Sequence, residues 1–238
     1  RPNLSWTVSG NMSINRNKVL ALYDSKDIYG STIGLAYIND FIHLIRVGQP
    51  IGVFYTYMED GYTAEGNLKY KDVDENKTLS VADKFITGNP HPKFTYGFTS
   101  DLNYKGFELS MLFQGSYGND IFNIGETANL DQGMGLNLRK AVYESHWKAG
   151  NSEEENAKAK YPKVSRSLAV QYSNRFIEDG SYLRLKNISI GYNLPMKKWG
   201  LGWCNSLKLY VSAQNILTLT KYSGMDPEVN SWGGNVTL

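Results

Sequence analysis

The chain has 238 residues, a near-balanced charge of 25 Lys and Arg against 23 Asp and Glu, and an apolar fraction of 41%. That balance argues against a nucleic-acid surface and against a disordered acidic tail. No run of about 18 apolar residues is present to cross a membrane as a helix, yet a membrane barrel stays open, because lumen-facing polar residues dilute the hydropathy. Tyr, with 17 copies, outnumbers Phe and Trp together, as suits a β-rich protein with wet loops. Cys204 is the single cysteine, so neither an internal disulfide nor a Cys-based metal site can form. The chain starts at Arg1 without a signal-peptide pattern, and the expectation is a piece of a longer protein.

In residues 4–15 Trp6, Val8, Met12 and Ile14 share one parity, while Ser5, Thr7, Ser9, Asn11, Ser13 and Asn15 share the other. A strand with one apolar face and one face of hydroxyls and amides fits a wall between lipid and a hydrated lumen better than a solvent-exposed sheet rich in Lys and Glu. Residues 17–49 are mixed, with turn signals near Asp24 and Gly30, and Phe54, Tyr55 and Tyr57 read as structural aromatics packed beneath a loop. In residues 71–85, Asp72, Asp74, Asn76, Thr78, Ser80 and Asp83 stand at the first, third, fifth, seventh, ninth and twelfth positions of a calcium-loop spacing. Lys77 occupies the sixth position, where the sharp turn calls for Gly, and Asp83 replaces the longer Glu of the twelfth. Bound calcium and a solvated turn both remain open there.

Residues 94–117 carry the clearest pattern. Phe94, Tyr96, Phe98, Leu102 and Tyr104 alternate with Thr95, Gly97, Thr99, Asp101 and Asn103; after Lys105 and Gly106, Phe107, Leu109, Met111, Phe113 and Tyr117 alternate with Glu108, Ser110, Gln114 and Ser116. This is a β-hairpin with two unlike faces, and arms of about ten residues match tilted strands crossing an outer membrane. Residues 118–180 are too long for a turn. They carry a short helix within 137–147 and a capping box at Ser152–Glu155, halted by Pro162. Within this loop Tyr143, Trp147 and Tyr172 are candidates to stack on a sugar or other substrate, or else to pack the loop against itself.

From 181 to 194 the apolar parity changes, from Leu183 and Leu185 to Ile188, Ile190, Tyr192 and Leu194. Either a β-bulge near Lys186 and Asn187 causes it, or the Tyr182, Arg184 and Lys186 face continues the lipid-facing side above the membrane. Lys197, Lys198, Trp199 and Trp203 form a short connection suited to an interfacial aromatic belt. Leu207, Leu209, Val211 and Ala213 mark another strand, expected to end near Asn215, with turn-rich sequence from Thr218 onward.

Long and short connections alternate strictly along this order, as they do in outer-membrane barrels with short periplasmic turns and long outer loops. The fold class expected is all-β: an antiparallel transmembrane β-barrel segment with long extracellular loops carrying short helices. His43, His91 and His146 lie far apart with neither metal spacing nor a nucleophile motif, so no enzyme is expected. A soluble carbohydrate-binding β-sandwich and a passive porin are the rival readings.

Several stretches resemble the C-terminal part of the SusC/RagA family of TonB-dependent outer-membrane transporters. They are Ile177-Glu178-Asp179-Gly180-Ser181-Tyr182-Leu183-Arg184-Leu185-Lys186-Asn187, Ile190-Gly191-Tyr192-Asn193-Leu194-Pro195, the segment 209–220, and Tyr222-Ser223-Gly224-Met225-Asp226-Pro227-Glu228. Val47-Gly48-Gln49-Pro50-Ile51-Gly52, the 72–83 stretch and Phe113-Gln114-Gly115-Ser116-Tyr117-Gly118-Asn119-Asp120 agree in kind, so the likeness runs along nearly the whole chain. The resemblance implies part of a barrel of about 22 strands in the Gram-negative outer membrane, importing a glycan, peptide or similar oligomer. It further implies a SusD-like surface lipoprotein as partner, energy from TonB, contact with outer-membrane lipid, and no nucleic acid. Residues 1–238 then form the C-terminal portion of the barrel domain, with the plug domain, the TonB box and a closing aromatic-ended strand lying outside the chain. No cofactor is implied beyond the calcium left open above.

Overall fold

The computed structural model describes residues 4–35, 38–130, 137–165, 170–200 and 203–228, which fold as two compact units. The first unit gathers residues 1–16, 91–119 and 180–222. It is a five-stranded antiparallel sheet in the order Leu4–Ser13, Phe94–Tyr104, Phe107–Tyr117, Tyr182–Leu194 and Leu207–Thr220. The expected hairpin is present with unbroken register from Phe94 opposite Tyr117 to Tyr104 opposite Phe107. Its two-residue turn places both Lys105 (φ 47°) and Gly106 (φ 93°) in the left-handed region, the turn whose twist matches that of flanking strands.

The register carries the alternation across all five strands. One apolar row runs Trp6, Leu102, Leu109, Ile190, Val211, and polar rows run Ser5, Asn103, Glu108 and Thr7, Asp101, Ser110, Ser189, Ser212. The bulge reading of the parity change is the one observed. Leu185 and Leu183 face Phe113 and Gly115, Ile188 and Ile190 face Met111 and Leu109, and Lys186 is left out of the pairing. Tyr182 and Arg184 stand opposite Ser116 and Gln114 on the polar side, so they do not continue the apolar one. The last strand also differs from expectation: it runs on to Thr220, because Asn215 (φ 54°) and Ile216 bulge out before pairing resumes at Leu217.

The second unit gathers residues 17–90, 120–179 and 223–238. The two long connections thus fold together with a core of their own, in place of two separate loops. A four-stranded sheet of Ile28–Tyr29, His43–Ile45, Val53–Tyr57 and Lys84–Gly88 is joined by three short strand pairs. One of these joins the two ends of the second connection, Asp120–Phe122 with Ile177–Asp179. Ile38, Ile42, Phe54, Leu68, Leu130, Val170, Tyr172 and Phe176 form the core, and every residue of Val53–Tyr57 is buried, as the packed-aromatic reading requires. The helical turns are short, Lys140–Ser145 and Glu153–Ala157, the latter with the full capping box and ending before Pro162 is reached.

Candidate functional site

The face of the first unit's sheet that carries the apolar rows is bare. Trp6 is 68% and Val211 76% exposed, and Val8, Met12, Ile190 and Leu209 are exposed with them. A sandwich would bury this parity against a second layer; here a contiguous apolar surface faces outward, the mark of an interaction surface. Both ends of the hairpin are aromatic, with Phe94 stacked on Tyr117 at 5.1 Å and Phe107 against Tyr192 at 4.4 Å. Ten residues separate Phe107 from Tyr117. At about 3.4 Å per residue that is about 34 Å of strand, which a tilt of about 40° projects to about 25 Å, the height of a barrel's lipid-facing band. Ser100, the one serine on the hairpin's apolar parity, receives the Trp6 indole N–H at 3.0 Å, as a polar group facing hydrocarbon must be paired.

The opposite face is hydroxylic and amidic, with its charges matched locally. Ser110 donates to Asp101 at 2.6 Å, Glu108 is held by Lys208 and Asn193, and Ser9 and Thr99 share a hydrogen bond of 2.8 Å. A wall whose groups already satisfy one another offers polar contacts without strong traps, so polar solutes can bind and leave.

In the second unit, the calcium-like spacing brings carboxylate oxygens of Asp72, Asp74 and Asp83 within 4.8 Å of one another. Lys77 adopts φ 63°, so the sixth position takes the left-handed shape despite having a side chain, and its N–H donates to Asp72 Oδ2 at 2.7 Å. Asp83 is fully buried and accepts from Val73 and Ser80 N–H, bonds that hold its carboxyl below the usual range. Asn76 Oδ1 accepts from Thr78 N–H at 2.6 Å, and Ser80 Oγ caps Ala82, so these three outer positions serve the turn's own geometry. Asp72 Oδ1 is buried and accepts no hydrogen bond among the described residues, the one atom of the loop that a hard cation would satisfy.

The three loop aromatics do not come together. Tyr172 is 0% exposed, set edge-on to Phe122 and Phe176, with its hydroxyl donating to Ile33 O; the packing alternative describes it. Trp147 lies over Gly66, where an added Cβ would come within 2.4 Å of the indole. Tyr143 is exposed, its ring 6.4 Å from His146.

Two constellations had no signal in the spacing. Arg175 forms a forked pair with Glu59, at 2.8 and 2.6 Å, which Ser173 also joins. Glu178 receives Asn123 Nδ2, Ser223 N–H and Ser223 Oγ, all within 2.8 Å, which tethers the segment following the last strand. Each pair is more than 40 residues apart in sequence, so only the fold reveals it.

A one-layer antiparallel sheet with a membrane-height apolar face defines a segment of an outer-membrane-type β-barrel. No family model matches the chain. Over 95% of its length it is 35% identical to TonB-dependent receptor P3 of Formosa agariphila and 28% identical to TonB-dependent receptor SusC of Bacteroides thetaiotaomicron. It spans 23% and 22% of those proteins, under a quarter of their length. Among solved structures, the RagAB peptide transporter matches 94% of the chain at a TM-score of 0.74, and the RagAB peptide importer in its open-open state matches 95% at 0.73. Both are 24% identical, with the chain covering 24% of each. The chain belongs to the SusC/RagA family of TonB-dependent receptors. These relatives are receptors rather than enzymes.

Proposed function

We propose that the chain is the C-terminal portion of the barrel domain of an outer-membrane receptor that imports an oligomeric nutrient, a glycan or a peptide. Energy reaches it through TonB, by way of an N-terminal region outside this chain, and a SusD-like surface lipoprotein closes over its mouth. The observation that carries this reading is the bare apolar face of the sheet, bounded by aromatic rows about 25 Å apart. The kinship with SusC and the RagAB fold match support import, and RagAB is itself a peptide importer. Fractionation of the full-length protein tests it. The protein is expected in the outer membrane with a surface lipoprotein co-purifying, and uptake of its nutrient is expected to stop when TonB is removed. Recovery in the soluble fraction, or uptake indifferent to TonB, contradicts it.

The orphaned Asp72 Oδ1 favours a second element of the same reading, a calcium ion held by the 72–83 loop with Asp72, Asp74 and Asp83 as its anionic ligands. Calorimetric titration is expected to give saturable heat with the wild type and none with the Asp72→Ala, Asp74→Ala double variant; no heat from either ends the idea. For substrate contact, Tyr143 and Trp147 remain the aromatic candidates. Tyr143→Ala is expected to weaken nutrient binding without lowering stability, and unchanged binding removes it.

A further inference from the structure

We infer that Tyr29, with the forked Asp27 and Arg46 pair beside it, is a carbohydrate subsite, its ring taking the C–H face of a neutral sugar and the pair taking the sugar's hydroxyls. This rests on the import reading and selects a glycan as the cargo. Every part of the subsite lies in the second unit. The short strand Ile28–Tyr29 pairs with His43–Ile45, which sets Tyr29 opposite Leu44 and Ile28 opposite Ile45. Asp27 and Arg46 stand one step beyond that pairing, on the side of the sheet that Tyr29 occupies. Arg46 Nε donates to the two Asp27 oxygens at 3.1 and 3.0 Å, and Nη2 donates to Oδ2 at 2.6 Å. Leu44, Val53 and Tyr55 form a small buried cluster on the same side, with Phe41 packed against it. The Tyr29 ring covers this cluster, 4.5 Å from the Phe41 ring and 6.4 Å from that of Tyr55. Phe41 is pinned in turn by the Lys84 ammonium, 3.8 Å from its ring centre, and the Arg46 guanidinium lies 5.5 Å from the Tyr55 ring.

Tyr29 is nonetheless 45% exposed, as a ring with one face packed and the other bare must be. The Arg46 and Asp27 side chains beside it keep 39% and 25% of their own surface. Chemistry names the occupant. The face of an aromatic ring is its negative side, so it attracts the positively polarised C–H groups that line one face of a sugar ring, and both apolar surfaces leave water together. The forked pair has its two charges matched, and it still offers spare carboxylate lone pairs and a planar set of N–H donors at fixed angles. A neutral ligand dense in hydroxyls uses the platform and the fork at once. A charged chain end or side chain of a peptide finds no unmatched charge in this pair. Because the inner packing fixes the ring before any ligand arrives, little side-chain ordering is left to oppose binding.

The test applies the full-length receptor to an array of neutral oligosaccharides of glucose, mannose, galactose, xylose and fructose, and to an array of peptides. The wild type is expected to bind at least one glycan family, and the dissociation constant of the tightest is then measured for three variants. Tyr29→Leu keeps an apolar cover over the buried cluster and removes the ring face, so it is expected to weaken that glycan about tenfold or more. Tyr29→Phe keeps the face and is expected to keep the affinity. Tyr29→Ala is expected to lose it as Tyr29→Leu does. Unchanged hydrogen-exchange protection of the buried Val53–Tyr57 amides in Tyr29→Leu shows that the unit is intact. Equal glycan affinity in all variants overturns the subsite, as does a wild type that binds peptides and no glycan. Neither result touches the import reading, which fails separately if uptake by the wild-type receptor persists without TonB.

Discussion

Lys84 holds an ammonium with no exposed side-chain surface, bonded to Asp40 at 2.7 Å and to Phe41 O at 2.8 Å, and 3.8 Å from the Phe41 ring centre. Burial lowers its pKa and the Asp40 carboxylate opposes the drop. Removing one member of such a pair strands the other, so Lys84→Ala is expected to destabilise the second unit by about 3 kcal/mol. Lys84→Met, which keeps the stem, should lose nearly as much. Hydrogen exchange of the buried Val53–Tyr57 amides reads both, and a loss under about 0.5 kcal/mol contradicts the argument. Asp83 sets a dependence on pH at the acid end. Backbone N–H groups depress its folded pKa below the ordinary 3.8, so its contribution is present above that value and is lost as pH falls through the folded pKa. Protection of the 72–83 loop should therefore fall on acidification below about pH 4, and Asp83→Asn should flatten that fall. The ligand spacing here was legible in the sequence, residue by residue. The mutual reach of three carboxylates was not, because Asp83 enters only once the capping turn at Ser80 folds it back.

Among the elements, the hairpin was legible to the residue because every second side chain meets one medium, and period two survives any register that keeps that face. Gly115 interrupts the apolar parity for a reason the pattern alone does not contain. The Tyr96 ring lies across it, so that an added Cβ would fall 2.4 Å from Tyr96 and 2.5 Å from the backbone of Tyr182. Gly115→Val is expected to break the pairing at that end of the hairpin, seen as loss of heat-stable gel migration. Unchanged migration argues against the close approach. Lys186 is the other element-scale test. Deleting it removes the bulge and leaves Leu185, Asn187 and Ile188 in plain one-to-one pairing with Phe113, Leu112 and Met111, so that Leu183, Leu185, Ile188 and Ile190 all keep the apolar side. The expected outcome is that membrane assembly is retained, and failure of assembly contradicts the reading of Lys186 as the one inserted residue. Asn215 reads in the sequence as the end of the last strand because a bulge imitates a stop: the alternation lapses for two residues and then resumes.

At the scale of the molecule, the long strands are legible in the sequence, and the shared core of the two long connections is not. The second unit's core is drawn from Ile38, Phe54, Phe122, Tyr172 and Phe176, on segments with no common period and separated by more than a hundred residues at the extremes. Nothing local distinguishes such residues from solvated loop aromatics, which is why the sequence offers Tyr172 as a substrate platform although the fold buries it. The sheet is legible because its two faces are chemically uniform over five strands, and that uniformity is the claim on which the transporter assignment rests. Nitroxide labels placed singly from Phe94 to Tyr104 in the full-length receptor, reconstituted in lipid, measure it. Positions 96, 98, 102 and 104 should relax with dissolved oxygen, and positions 95, 97, 99, 101 and 103 with a water-soluble nickel complex. Equal accessibility along the strand, or the reverse alternation, contradicts the account.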